Sequence, residues 1–173
     1  STPSNSSAAS DVYKRQAFKL NAKTNGNGKL TYTTSNKAVA TVDAAGKVTV
    51  KGLGVAKITV KAAATTDYKA TSKTVTVTVA PKKQSISLVN KIKKQLTIKW
   101  KKNTKASGYQ VVYSTNKKFT GKKTVRKAKT TTSYKIKGLK KGKKYYVKVR
   151  SYKTVNGKRI YGAYSTAKKA TIK

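Results

Sequence analysis

The sequence predicts an all-β protein made of two consecutive antiparallel β-sandwiches. Many segments alternate apolar and polar residues with the two-residue period of a half-buried strand, as in LTIKW at 96–100. Turn-forming sequences such as NGNG at 25–28 and DAAG at 43–46 separate these segments. No stretch shows the period of an amphipathic helix, and Thr, Val and Tyr, which favour strands, are abundant. Short strands separated by regular turns are typical of sandwiches.

The first half of the chain contains five segments that we interpret as strands. Each alternates apolar with polar residues, so that one face of the strand can be buried. In KLTYTTS, for example, Leu30 and Tyr32 share a face. The five segments are AFKLNAKT at 17–24, KLTYTTS at 29–35, GKVTVKG at 46–52, VAKITVKA at 55–62 and KTVTVTVA at 73–80.

A second set of strand segments follows Pro81. Because proline cannot donate a backbone hydrogen bond to a sheet, the step from Ala80 to Pro81 favours a domain boundary. We therefore predict a linker at 1–16, one domain at 17–80 and a second at 81–173. The segments of the second domain are LTIKW at 96–100, YQVVYS at 109–114, SYKIKGL at 133–139, YYVKVRSY at 145–152 and KKATIK at 168–173.

The residue types that carry most enzyme chemistry are missing. The chain has no His and no Cys, and its 3 acidic residues, Asp11, Asp43 and Asp67, are far apart in sequence. A thiol nucleophile, a Ser–His–Asp triad and the usual nitrogen and sulfur ligands of zinc are therefore excluded. We predict no catalytic, cofactor-binding or metal-binding residue, and hence no enzyme. Asp43 and Asp67 are interpreted as turn formers.

Positive charge is concentrated in the second domain. The net charge of the chain is +39, and residues 81–173 hold 30 Lys and Arg residues without an acidic one. Such a charge attracts polyanions, whereas an excess of Lys over Arg, 38 to 4, disfavours sequence-specific nucleic-acid recognition. The alternative is a solvated face that only keeps the protein soluble. The cluster that we predict to bind an anionic cell-wall polymer or acidic glycan is Lys140, Lys141, Lys143 and Lys144.

The strand at 145–152 offers a second candidate surface. Alternation turns Tyr145, Val147 and Val149 toward the core. Aromatic rings on the opposite face can stack on a sugar or a partner chain. The alternative, which we favour, is that they pack against neighbouring strands. This possible ligand face consists of Tyr146, Lys148, Arg150 and Tyr152.

The segment GLKKGKKYYVKVRSY at 138–152 resembles the fibronectin type III family. Leu139 and Tyr145 are spaced as in that family, although Lys141 stands where the family usually has proline. The resemblance covers nearly the whole second domain. It implies a sandwich in which Trp100 is buried and in which the Tyr145 hydroxyl bonds to nearby backbone.

The first domain resembles bacterial Ig-like domains of group 2. The likeness lies in residues 31–62, where Tyr32 replaces the Trp of the family and is followed by Ser35, Asn36 and VATVD at 39–43. One more strand normally precedes FKLNAK in this family, so we expect the domain to lack its first strand. Both resemblances imply extracellular modules of bacterial surface proteins and no catalysis.

The heptapeptide SDVYKRQ at 10–16 stands where that first strand is expected. DVYKRQ is the translation of GAT GTG TAT AAG AGA CAG, which resembles the transposon-end adapter of sequencing libraries. We interpret residues 11–16 as a translated adapter and leave them out of fold reasoning. The alternative is a genuine linker.

These observations predict a non-catalytic spacer, adhesion or surface-attachment region of a secreted or cell-surface bacterial protein. We expect a monomeric fragment without a membrane span, because no apolar run approaches the about 18 residues that a spanning helix needs. One alternative is a pair of accessory modules of a wall- or carbohydrate-active enzyme whose catalytic domain is missing. Another, an intracellular nucleic-acid-binding protein, is disfavoured by the resemblances and by the excess of Lys over Arg.

Sequencing of the locus by a transposon-free method tests the adapter interpretation. We expect the codons of residues 11–16 to be absent from the native gene, because they derive from library preparation. Recovery of GAT GTG TAT AAG AGA CAG in native context would instead identify a genuine linker.

Overall fold

Strands provide all the regular secondary structure in the part of the chain that the structure describes. The computed structural model describes residues 17–173 and, by its backbone alone, Asp11–Val12. These residues contain no helix, and therefore none that could span a membrane. The all-β prediction is confirmed. The rest of the predicted linker and adapter, residues 1–10 and 13–16, lies outside the described residues.

The chain divides into two compact units between Ala80 and Pro81, which we name the N-terminal and the C-terminal unit. The N-terminal unit contains two sheets, one of four strands in the order β1-β7-β6-β3 and one of three in the order β2-β5-β4. All neighbours are antiparallel except β1 and β7. The strands are β1 Asp11–Val12, β2 Phe18–Lys19, β3 Leu30–Thr34, β4 Ala40–Val42, β5 Lys47–Val50, β6 Gly54–Ala62 and β7 Thr71–Val79.

The core of the N-terminal unit consists of the inward residues of its strands. β6 buries Ala56 and Ile58 completely, whereas Lys57 between them is exposed. Val77 of β7 and Val48 of β5 are also fully buried in this core. Burial of each such aliphatic side chain contributes roughly 1.5–3 kcal/mol, so the alternation of the sequence stabilises the two sheets.

The strand β1 occupies part of the edge of β7. Asp11 pairs with Val77 and Val12 with Thr78 in parallel orientation. An edge strand accepts almost any extended chain, so Val12 and Tyr13 can pair here by chance. Val12 does pair, while Tyr13 lies outside the described residues.

The C-terminal unit contains a three-stranded sheet in the order β12-β9-β8 and a five-stranded sheet. In the larger sheet the order is β11-β10-β13-β14, and β15 also pairs with β13. All of these pairs are antiparallel. The strands are β8 Ile86–Val89, β9 Leu96–Trp100, β10 Gly108–Ser114, β11 Lys123–Ala128, β12 Ser133–Ile136, β13 Lys144–Val155, β14 Lys158–Tyr161 and β15 Lys168–Thr171.

The core of the C-terminal unit is centred on Trp100, which is 6% exposed as the family resemblance implied. Its ring lies 5.4 Å from that of Tyr109, which is fully buried. The Tyr109 hydroxyl accepts a hydrogen bond of 2.6 Å from the Asn103 amide, so burial of this phenol leaves no unpaired oxygen. Leu96 and Val111 are fully buried in the same core.

Besides β1, four strands were not among the predicted segments, and all four lie at sheet edges. They are β4, β8, β11 and β14, of three to six residues each. Short strands offer few positions over which alternation can be recognised. In β11, Val125 is the one large apolar residue and lies among Lys, Arg and Thr.

Replacement of Leu96 by Ala tests the position of the C-terminal core. We expect the free energy of unfolding of this unit to fall by about 2–5 kcal/mol, because a buried leucine leaves a cavity. Urea unfolding followed by the fluorescence of Trp100, the single Trp of the chain, measures the change. The control Thr124→Ala, at an exposed position of β11, should stay within about 0.5 kcal/mol of the unchanged protein. A Leu96 variant as stable as the control would place Leu96 outside the core.

Candidate functional site

The predicted polyanion-binding lysines lie in a tight turn before β13. The Lys143 amide donates a hydrogen bond of 3.2 Å to the Lys140 carbonyl, and Gly142 has a φ of 75°. A positive φ at the third position is the geometry of a type II turn, which favours glycine there. Buried Leu139 anchors the start of the turn in the core. The side chains of Lys140, Lys141, Lys143 and Lys144 are all exposed.

Backbone hydrogen bonds bring this turn together with two distant segments. The Leu139 amide donates to the Lys94 carbonyl at 3.0 Å, and the Lys94 amide donates to the Lys173 carbonyl at 3.0 Å. The Ile172 amide donates to the Lys143 carbonyl, also at 3.0 Å. The loop at 91–95, the turn and the last residues of the chain therefore meet at one end of the unit.

The result is a cluster of exposed lysines from three parts of the sequence. We name it the lysine cluster; it consists of Lys91, Lys93, Lys94, Lys140, Lys141, Lys143, Lys144 and Lys173. Sequence reasoning found only its densest segment, because nothing in a local pattern shows which loops will meet. Since residues 81–173 contain no acidic side chain, no carboxylate of this unit's side chains offsets the charge.

The possible ligand face lies on the outer face of the larger sheet, the face that is turned away from the core. In register, Gln110 of β10 is opposite Arg150 of β13, and Gly108 is opposite Tyr152. All four predicted residues of this face are half-buried rather than exposed: Tyr146, Lys148, Arg150 and Tyr152.

Cations and aromatic rings alternate along the outer face. The Lys148 ammonium lies 4.0 Å from the ring centre of Phe119 and 4.5 Å from that of Tyr164. The Arg150 guanidinium carbon lies 3.8 Å from the ring centre of Tyr161 and 4.3 Å from that of Tyr164. These distances fit cation–π attraction, which holds the two cations in place.

The same pattern continues toward β14. The guanidinium carbon of Arg159 lies 5.5 Å from the ring centre of Tyr152, and the rings of Tyr152 and Tyr161 are 5.6 Å apart. A Cβ atom on Gly108 would come within 2.5 Å of the Tyr152 hydroxyl, so the absence of a side chain there lets the tyrosine lie across β10. These contacts favour the alternative that the aromatic residues of this face pack against neighbouring strands.

Phe119 reaches the outer face through a strained loop that sequence reasoning missed. Its φ is 61°, which is rare for a bulky residue, and its amide donates to the Asn116 carbonyl at 3.0 Å. The Ser114 hydroxyl donates to the Thr120 carbonyl at 2.8 Å and fixes the other end of the loop. On this outer face Val112 is fully buried, so the unit has a second, smaller apolar layer opposite its core.

Three phenols pack against the core of the C-terminal unit, Tyr113 and Tyr145 from the larger sheet and Tyr134 from the smaller one. Burial raises the pKa of the Tyr113 hydroxyl, and the neighbouring Tyr134 and Tyr145 hydroxyls raise it further. Tyr145 packs on the core but is half-buried, and no hydrogen bond of its hydroxyl is found in the described residues. The bond to backbone that the resemblance implied for the Tyr145 hydroxyl is therefore not found there.

The two Asp residues with described side chains do not come together in a site. Asp43 Oδ1 accepts hydrogen bonds of 2.9 Å from the Ala45 and Lys47 amides, which makes Asp43 a turn former as predicted. Asp67 lies in the loop between β6 and β7. In the described part of the chain, no group of three or more side chains suited to a metal ion is found.

Tyr164 allows a test of the cation–ring contacts, because its hydroxyl also donates to Gln110 Oε1 at 2.9 Å. We expect Tyr164→Phe, which keeps the ring, to lower the free energy of unfolding by about 1 kcal/mol. Tyr164→Leu also removes the ring between Lys148 and Arg150 and should cost about 1–2 kcal/mol more. Urea unfolding measures both, with Tyr146→Phe as control. Equal effects of the Phe and Leu variants would show that the ring does not stabilise the two cations.

Comparisons with known proteins agree with this architecture. The family model described as intimin, immunoglobulin-like domain matches residues 12–65, and the fibronectin type III domain model matches residues 79–166. The first match begins within the segment interpreted as an adapter. The search of curated proteins found no match.

Three solved structures are similar to this chain at low identity. The FN1–FN3 domains of chicken CNTN1 are 18% identical with a TM-score of 0.48, and the alignment covers 75% of this chain and 48% of that one. A computationally redesigned β-sandwich protein is 14% identical with a TM-score of 0.45, covering 53% of this chain and 95% of that one. A structure titled myokine structure is 15% identical with a TM-score of 0.43, covering 53% and 97%. This chain thus spans about half the length of the first.

Fibronectin type III and immunoglobulin-like domains are typically non-catalytic modules, and they are common in proteins of the cell exterior. The fibronectin type III match covers 88 residues, just over half of the chain of 173. The order of the two matches is the order that the sequence predicted. The chain belongs to the fibronectin type III family through residues 79–166, and an immunoglobulin-like domain of the intimin type precedes that domain.

Proposed function

We propose that this chain is a non-catalytic attachment region of a bacterial surface protein. In this proposal the C-terminal unit contacts anionic cell-wall polymers or acidic glycans through the lysine cluster, and the N-terminal unit acts as a spacer. The two domain types support the non-catalytic part of the proposal.

The convergence of three lysine-bearing segments at one end of the C-terminal unit carries the proposal. The segments are fixed by backbone hydrogen bonds of 2.8–3.0 Å, among them the bond from the Gly142 amide to the Ile172 carbonyl. The cluster is therefore held by the backbone, while its side chains stay free to reach a ligand. No acidic side chain of the unit competes for them.

Physical chemistry favours a linear polyanion as the ligand. Each phosphate or carboxylate that meets a lysine releases counterions, so binding becomes stronger as the ionic strength falls. Exposed charges act over about 8 Å at physiological ionic strength, so only lysines near the ligand contribute. A bound polyanion would also relieve the repulsion among the clustered lysines.

Replacement of Lys140, Lys141, Lys143 and Lys144 by Gln in the full chain tests this proposal. We expect weaker binding to wall teichoic acid and to heparin, with a log K that changes less steeply with log salt. On a densely charged polymer each lost contact lowers that slope by about 0.7–0.9. A salt titration by calorimetry or fluorescence anisotropy measures it.

The matched control removes four exposed lysines elsewhere in the same unit: Lys82, Lys83, Lys101 and Lys102, again replaced by Gln. Both variants lose four positive charges, so a difference between them reports position rather than net charge. Equal weakening in the two variants would mean diffuse attraction and would refute the lysine cluster as a site. Tight, salt-independent binding to a neutral glucan would refute the electrostatic mechanism altogether.

A further inference from the structure

The three arginines with described side chains all lie on the outer face of the larger sheet. They are Arg126 of β11, Arg150 of β13 and Arg159 of β14, in a unit where every other basic residue is Lys. The guanidinium group differs from an ammonium group because it is planar, stacks on rings and binds oxyanions through two parallel hydrogen bonds. The location of the arginines therefore marks the surface where fixed donor geometry is available.

Arg150 is held by three contacts. Its guanidinium carbon lies 3.8 Å from the ring centre of Tyr161 and 4.3 Å from that of Tyr164, and its Nε donates a hydrogen bond of 2.6 Å to Gln110 Oε1. These contacts engage Nε and place two rings against the group. The terminal nitrogens along its edge have no side-chain acceptor among the described residues.

Gln110 is oriented by the same contacts. It is 8% exposed, and its Oε1 accepts hydrogen bonds from both Arg150 Nε and the Tyr164 hydroxyl. Arg150 Nε can only donate, so the oxygen of the Gln110 amide must face Arg150. The amide NH₂ group of Gln110 is thereby left as a donor, and it has no acceptor within the described part of the chain.

Arg126 supplies the other side. Gln110 of β10 is directly opposite Arg126 of β11 on one side and Arg150 of β13 on the other. The three residues therefore form one row across β11, β10 and β13. With strands about 4.8 Å apart, the two arginines start roughly 10 Å from each other with Gln110 between them. Arg126 is exposed, and no hydrogen bond or ring contact of its side chain is found among the described residues.

We propose that Gln110, Arg126 and Arg150 form a binding site for an oxyanion group, a carboxylate or a phosphate, carried by a cell-wall glycopolymer. Arg150 and Gln110 present donors that are already oriented, and Arg126 closes on the group from the neighbouring strand. The site rests on the proposed function for the nature of its polymer. It differs from the lysine cluster in mechanism, because it depends on donor geometry and not on charge alone.

The exchange of Arg126 for Lys separates geometry from charge, since the net charge stays the same. Two probes distinguish the sources of the oxyanion: trigalacturonate, which carries carboxylates, and a short glycerol-phosphate oligomer, which carries phosphates. Side-chain Nε–H signals of arginine in the ¹⁵N-labelled full chain report binding. We expect saturable shifts of the Arg126 and Arg150 signals with at least one probe, and roughly tenfold weaker binding of that probe to the Arg126→Lys protein.

Two further variants make the result decisive. Arg159→Lys changes an arginine of the same face that is away from Gln110, and it should bind the probe like the unchanged protein. The variant with Gln at 140, 141, 143 and 144 should keep the saturable Arg126 and Arg150 signals even if its overall affinity falls. An Arg126→Lys protein that binds both probes as the unchanged protein does, or shifts that never saturate, would overturn the oxyanion site. That outcome would not refute polyanion binding by the lysine cluster. The salt titration with its control variant tests the lysine cluster separately.

Discussion

The absence of carboxylate side chains from the C-terminal unit is the constraint on which the rest of this surface depends. Thirty cations share 93 residues without one acidic partner. A cation that packs against the protein must therefore use aromatic rings or amide and carbonyl oxygens, or stay in water. Lys148 and Arg150 use aromatic rings, with two rings within 4.5 Å of each. Lys127 lies over the ring of Tyr134 in the same way, and most of the other lysines are exposed to solvent.

The absence of carboxylates also accounts for the aromatic side chains that lie beside the cations on the outer face of the larger sheet. Val112 is fully buried there, it is opposite Lys148 in register, and the Lys148 ammonium lies over the ring of Phe119. The loop accepts a left-handed conformation at Phe119 to place this ring, and Ser114 fixes the loop. At the free edge, β11 carries Lys123, Arg126 and Lys127, and charges of this kind discourage pairing of the edge with other chains.

The fold followed from the sequence because alternation and turns are local signals. Ile58, Trp100 and Val149 are buried as their alternation predicted, and Asp43 forms its predicted turn. The short edge strands could not be predicted from the sequence, because a strand such as β11, with one large apolar residue, shows no two-residue period. The position of Phe119 on the outer face could not be predicted either. The lysine cluster was found only in part, since its members at 91–94 and 173 join it through long-range backbone hydrogen bonds.

In the proposed binding mode, lysine and arginine would perform two different tasks, for which their side chains are suited differently. At Lys141 the second position of the turn, which suits proline, carries a charge instead, and Gly142 alone provides the turn geometry. The backbone hydrogen bonds of the cluster fix the Cα positions of its lysines but leave their ammonium groups free to move. This freedom suits a polymer whose charges are irregularly spaced. Arg150 is instead fixed by two rings and an amide, and it can hold only a group of matching shape. Long-range attraction by the first surface would bring a polymer close, and the second surface would then fix its orientation.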